Sequence, residues 1–177
     1  DMNGESERAA ITRAIAKGRV SLSDLVKPLQ CLVAERLPLT AELVREVAEA
    51  VAERDGSAPH QLADSVRAAS PDRVRQAVER EFDGTSPLMV RVELGPETVA
   101  LARSGGEDAR KRVSSALHKA VGEAHGHGMD AVVVADREIR RSVLALMPES
   151  LRFAPVVTPD EAPERATEMS GAAVAVV

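Results

Sequence analysis

From residue 5 to residue 82 the apolar positions recur three and four residues apart, the spacing of one face of a helix. Glu5–Lys17 carries Ala9, Ile11, Ala14 and Ile15 on such a face and stops at Gly18. Ser21 or Ser23 then caps a second helix whose apolar side runs Leu22, Leu25, Leu29, Leu32 and Val33. Pro28 interrupts that side, and an interior proline costs about 3 kcal/mol through its missing N–H and its ring. The pattern therefore predicts a secure helix over Leu29–Arg36, with a looser turn before it. After Pro38, Thr40 caps a third helix with Leu43, Val47, Ala50 and Val51 inward, ended by Asp55-Gly56. A shorter helix over Pro59–Ala69 follows. Ser70-Pro71 opens a fifth, burying Val74, Ala77, Val78 and Phe82.

The period changes at Asp83–Pro87, where turn residues cluster. Leu88–Leu94 alternates as a strand, with Leu88, Val90, Val92 and Leu94 on one face. Pro96–Arg103 reads as a short helix, Ser104-Gly105-Gly106 as a loop, and Asp108–Ala124 as a long helix burying Val113, Ala116, Leu117, Ala120 and Val121. Ala131–Val134 is apolar throughout, as in a central strand covered on both faces. Asp136 caps the next helix, with Ile139, Val143, Leu144 and Met147 inward. Phe153–Val157 is the following strand, placed near a sheet edge by Pro155. Thr158–Ser170 is a Pro- and Glu-rich surface loop, and Ala172–Val177 a last strand. The fold class is α+β: an N-terminal helical bundle subdomain (1–84), then a small α/β subdomain (85–177) with a roughly four-stranded sheet.

Composition narrows the function classes. The apolar share of 44% is built from Ala, Val and Leu, and Phe82 and Phe153 are the only aromatic residues among 177. Small side chains bury little area each, so modest stability is expected. A net charge of −5, no basic run and no stacking rings argue against nucleic acid as a partner. Cys31 is alone, which excludes a disulfide framework. No stretch approaches the ~20 apolar residues of a membrane helix. The chain opens Asp1-Met2 rather than on Met, so it reads as an excised fragment whose membrane or partner regions lie elsewhere.

Candidate chemistry is sparse. His125-Gly126-His127 could be half of a metal site, but no Cys or third His lies near it in sequence. Asp136, Asp160 and Glu161 follow the C-terminal ends of two strands, where open sheets bind ligands, and could gather a cation; a helix N-cap (Asp136) and a solvated loop (Asp160, Glu161) are the favoured account. Ser114, Ser115 and His118 share one helix without a nucleophile elbow, and Gly105-Gly106 lacks the Lys-Ser/Thr of a phosphate loop. Arg137, Arg140 and Arg141, interleaved with Glu138, form a charged helix face. No catalytic residue, metal ligand or cofactor site is assigned.

Four stretches together resemble the soluble C-terminal half of the FHIPEP family, the flagellar and type III secretion export-gate proteins. Val20–Leu25 followed by Leu29–Arg36 (LQCLVAER) is similar to that family's leading helix and its LQxLLxER segment. Pro38-Leu39 with Glu42-Leu43 and the helix to Ala52 resembles the next helix. Val133–Arg141 resembles its apolar strand, polar cap and Glu-Leu-Arg-Arg, and Val156–Ala162 stands where the family has a strand and loop of the Val-Leu-Ser-Tyr-Asn-Glu-Ile type. Departures are Pro28, one inserted residue near Thr40-Ala41, and Pro159 and Ala162 in place of Tyr and Ile.

The resemblance implies a non-enzymatic module on the cytoplasmic side of the inner membrane, with Val20–Asp83 as a third subdomain making contacts in a homo-oligomeric ring. Ser86–Val177 would be a fourth subdomain facing a docking cleft for an export chaperone or cargo protein. Membrane contact would come only through regions outside this chain. Glu138, Arg140, Arg141, Asp160 and Glu161 are then the candidates for partner binding, and Arg140→Ala is expected to spare the fold. A second reading is a divergent relative serving as scaffold or signalling module outside secretion. A third is a small α/β enzyme acting around Asp136 and Glu161.

Overall fold

Ser21 starts the first described helix by a reciprocal cap. Its N–H donates to Asp24 Oδ2 at 3.1 Å, and the Asp24 N–H donates to Ser21 Oγ at 3.3 Å. In this computed structural model, which describes residues 20–54, 56–83 and 88–174 together with Ala9 and Thr12, helix α1 runs unbroken over Leu22–Ala34. The looser turn expected before Leu29 is therefore a helix. The cap supplies an acceptor for the first-turn amides, Pro28 itself is buried, and the carbonyl left without an amide partner belongs to the exposed Asp24. Apart from Ala9 and Thr12, the helix expected over Glu5–Lys17 lies outside the described residues. So do the turn at 84–87 and the chain end at 175–177.

The chain divides into two compact units, Asp1–Ala77 and Val78–Val177. In the first, α1 is joined by α2 (Ala41–Glu53), capped by Thr40 Oγ1 at 3.1 Å from the Leu43 N–H, and by α3 (Pro59–Ala69). These three helices pack pairwise. Leu25, Leu32, Leu43, Val44, Val47 and Ala63 form their fully buried interior. On α2 the inward face is Leu43, Val44, Val47 and Ala48; Ala50 and Val51, expected inside, are half-buried. Helix α4 (Pro71–Glu81) starts in this unit. Its Arg73 meets Glu46 at 2.8 Å and Glu42 at 3.3 Å, and the hydrogen bond it donates to Glu46 pushes the guanidinium pKa further up.

The second unit is built on parallel strands β1 (Met89–Leu94), β2 (Asp130–Val134) and β3 (Val156–Val157). Strand β4 (Thr167–Val174) pairs with the free side of β1, parallel, with a register shift between Arg91 and Glu93. The order β3-β2-β1-β4 places β3 at an edge, where Pro155 had pointed. Only Val156 and Val157 remain of the strand expected from Phe153, because Glu149–Leu151 forms a 3-10 turn that Ala154 closes through its N–H to the Leu151 carbonyl. Helices α5 (Pro96–Ser104), α6 (Glu107–Gly126) and α7 (Arg137–Leu146) pack on one another. They cover the sheet face made by Val90, Val92, Ala131, Val133 and Val156. Both crossovers step in one direction along the sheet, so right-handed connections put all three helices on that face.

The alternate residues Met89, Val132, Val134 and Val157 are also buried. The return from β3 to β4 must pass from one edge of the sheet to the other, and its Glu161, Ala162, Pro163 and Ala166 are buried. Arg91 Nη2 donates to the Pro163 carbonyl at 3.3 Å, which ties that return to the second face. Thr158–Ser170 is thus a sheet cover followed by a strand, and the surface loop expected there is corrected. Its buried small residues face β-strands too apolar to meet water.

Candidate partner-binding site

The five residues singled out for partner contact separate into two groups. Glu138, Arg141 and Asp160 keep contact with solvent, whereas Arg140 and Glu161 are each only 3% exposed. Arg140 sits one residue after Ile139 on α7, and the stripe that packs on the sheet is wide enough to take both. Glu161 is buried because its carboxylate turns back to its own segment, where Oε2 accepts from the Thr158 N–H at 2.8 Å. Both are buried within this unit and present little surface to a partner.

The surface that remains is neutralised pair by pair. Arg103 of α5 meets Glu138 at 3.1 Å, Arg137 meets Asp160 at 3.5 Å, and Arg112 of α6 meets Glu97 at 3.0 Å. All six side chains are about half exposed or more, so each pair contributes at most about 1 kcal/mol and can be exchanged for a partner's charges at little cost. This suits a polar, reversible contact better than a fixed anion site.

The ligand sites considered from sequence do not assemble. Among the described residues no three His, Cys, Asp or Glu side chains come together as a metal site. Asp136 occupies the N-cap of α7, but it caps through its backbone: its carbonyl accepts from the Ile139 and Arg140 amides at 3.0 and 2.8 Å. His125 lies against the ring of Phe153, with centroids 5.1 Å apart and a tilt of 47°. No described helix is long and apolar enough to cross a membrane.

One surface escaped the sequence reading. Leu22, Val26 and Val33 of α1 are 55%, 38% and 47% exposed, with half-buried Leu29 between them. At spacings of four, three and four residues they form one stripe along the helix, about a quarter of a turn round from the buried Leu25, Pro28 and Leu32. The expected inward face included Leu22 and Val33. The apolar arc of α1 is wider than the stripe it buries, with Ser23, Asp24, Lys27 and Gln30 opposite, so periodicity could not say which edge of that arc stays exposed. Aligned on one helix edge, Leu22, Val26 and Val33 make an exposed apolar row rather than scattered single residues.

No protein-family model and no curated protein matches the chain. Among solved structures, the Shigella flexneri MxiA protein matches it with a TM-score of 0.65 at 17% identity, over 89% of this chain and 53% of that one. The Chlamydia pneumoniae CdsV protein aligns over 89% of this chain and 52% of its own at 17% identity, with a TM-score of 0.49, too low to support a statement about fold. MxiA is a type III secretion export-gate protein of the FHIPEP family, so the resemblance drawn from the four sequence stretches is met by a shared fold. The chain spans about half the length of the MxiA chain.

Proposed function

We propose that this chain is the C-terminal cytoplasmic part of an FHIPEP-type export gate and works by binding other proteins rather than by catalysis. The observation that carries the reading is the MxiA-like fold over 89% of the chain, joined to sequence stretches that resemble the family in the same order. In this reading residues 1–84 make contacts between subunits of a ring, and the exposed stripe of Leu22, Val26 and Val33 supplies the apolar part of such a contact. Residues 85–177 face the export chaperone or cargo, with Glu138, Arg141 and Asp160 available for exchangeable charge contacts. The module lies at the cytoplasmic face of the membrane that the rest of the gate would span.

The test is genetic and biochemical. Deleting the codons for residues 20–174 from the gene is expected to abolish secretion of export substrates while leaving growth unchanged. Secretion at the normal level in the deletion strain would overturn the reading.

A further inference from the structure

Along α6, beside the end of α7, lies an open groove of about 620 Å³. One wall is polar and basic, formed by Arg110, Lys111, Ser114, Ser115 and His118; the other, at residues 145–148, is apolar and includes Leu146 and Met147. None of the lining residues is acidic, although the whole chain carries a net charge of −5. The nearest carboxylate partner is Glu107, 2.9 Å from Lys111. Both side chains of that pair are more than 70% exposed, so a competing carboxylate displaces it at little cost. Arg110 forms no ion pair among the described residues.

The donors are spread rather than convergent. Arg110 and Lys111, then Ser114 and Ser115, then His118 stand on successive turns of α6, spanning roughly 12 Å at about 1.5 Å per residue. A small anion is held by donors that close around one point, whereas donors one turn apart along an open groove match carboxylates repeated along a chain. The apolar wall adds a surface for side chains between those carboxylates.

We propose that this groove receives an acidic, partly apolar segment of a partner protein, with carboxylates about one helical turn apart. Ser114, Ser115 and His118, which fit no catalytic arrangement, then act as hydrogen-bond donors along the segment. The inference stands independently of the export reading, because a secretion assay and a groove titration can fail separately.

The test uses the full 177-residue chain, labelled with ¹⁵N. It is titrated with a synthetic helical peptide carrying Glu at every fourth position beside Leu, and with the same peptide carrying Lys in place of Glu. Saturable amide shifts are expected at residues 110–118 and 145–147 with the Glu peptide only. Arg110→Glu combined with Lys111→Glu is expected to weaken binding at least about tenfold with the melting temperature unchanged, since both residues are exposed. Any of four results overturns the proposal: no saturation at millimolar peptide, equal binding of the Lys peptide, no effect of the charge reversal, or tighter saturation of the same amides by inorganic phosphate.

Discussion

Arg67 Nη1 of α3 donates to Glu35 Oε2 at the end of α1 over 2.6 Å, and the two side chains are only 4% and 7% exposed. An ion pair this deep gives up hydration on both sides, so its attraction roughly offsets its desolvation. Its effect is on specificity of packing: α1 and α3 can close on each other only where the two charges meet. Removing one partner takes the cross-helix counter-charge from a buried ion. Glu35→Ala and Arg67→Ala are each expected to lower unfolding free energy by about 3–5 kcal/mol, with the double change costing far less than the sum. Urea unfolding of the four proteins checks it. Additive losses would show the pair to be uncoupled.

Helix ends supply a second contrast. The α6 helix ends in a Schellman motif, in which the Met129 N–H reaches the Ala124 carbonyl and Gly128 takes φ +70°. The α1 helix ends the same way, through the Leu37 N–H to the Leu32 carbonyl, but with Arg36 at φ +69°. Gly128→Ala should therefore cost about 1–2 kcal/mol. Gly122 lies inside α6 with open space where a Cβ would stand, so Gly122→Ala should stabilise by about 0.5–1 kcal/mol. Opposite shifts in melting temperature from two glycines six residues apart are the expected result.

The cap of α1 responds to acid. Hydrogen bonds from the Ser21 side chain and backbone hold the Asp24 carboxyl below its ordinary value of 3.8. A carboxyl whose folded value is depressed stabilises the fold above its unfolded value and loses that contribution as pH falls through the folded one. The NMR titration midpoint of Asp24 is expected below 3.8, and Ser21→Ala, which removes the hydroxyl but keeps the backbone donor, should move it part of the way back up. An unshifted midpoint in the unaltered chain would remove the cap's electrostatic role.

Arg140 and Glu138 stand two residues apart on α7 and should behave oppositely. Arg140 is 3% exposed, so Arg140→Ala is expected to lose about 2 kcal/mol or more, against the sequence expectation that the fold would be spared. Glu138→Ala removes an exposed pair with Arg103 and should stay within about 0.5 kcal/mol. Guanidinium unfolding curves for the two variants separate the outcomes.

Much of the fold was legible because its signals are local. Thr40 before an apolar period, Pro59 and Pro71 at helix starts, and the unbroken apolar run of Ala131–Val134 each fix one element. What failed to read was long-range. Nothing near Glu161 in sequence says that its segment crosses under a sheet, and nothing near Arg67 names Glu35, 32 residues earlier. The charged stretch around α7 misled for the same reason. Charge alone marks a residue as polar, and only the packed structure separates Arg140 from its exposed neighbour Glu138.

The stripe on α1 offers the sharpest separation of folding from association. Leu25 and Leu32 hold α1 to its unit, while Leu22, Val26 and Val33 on the adjoining edge stay 38–55% exposed, so replacing these three with Ser removes mainly apolar surface that folding leaves in solvent. Each change should alter stability by no more than about 0.5 kcal/mol. If the stripe is covered in an assembly, the unaltered chain should show a sedimentation coefficient that rises with concentration, and the triple variant should stay at the monomer value. Identical sedimentation of the two proteins at all concentrations would show that copies of this chain do not meet through α1. A stability loss of several kcal/mol would instead place the three side chains inside the fold.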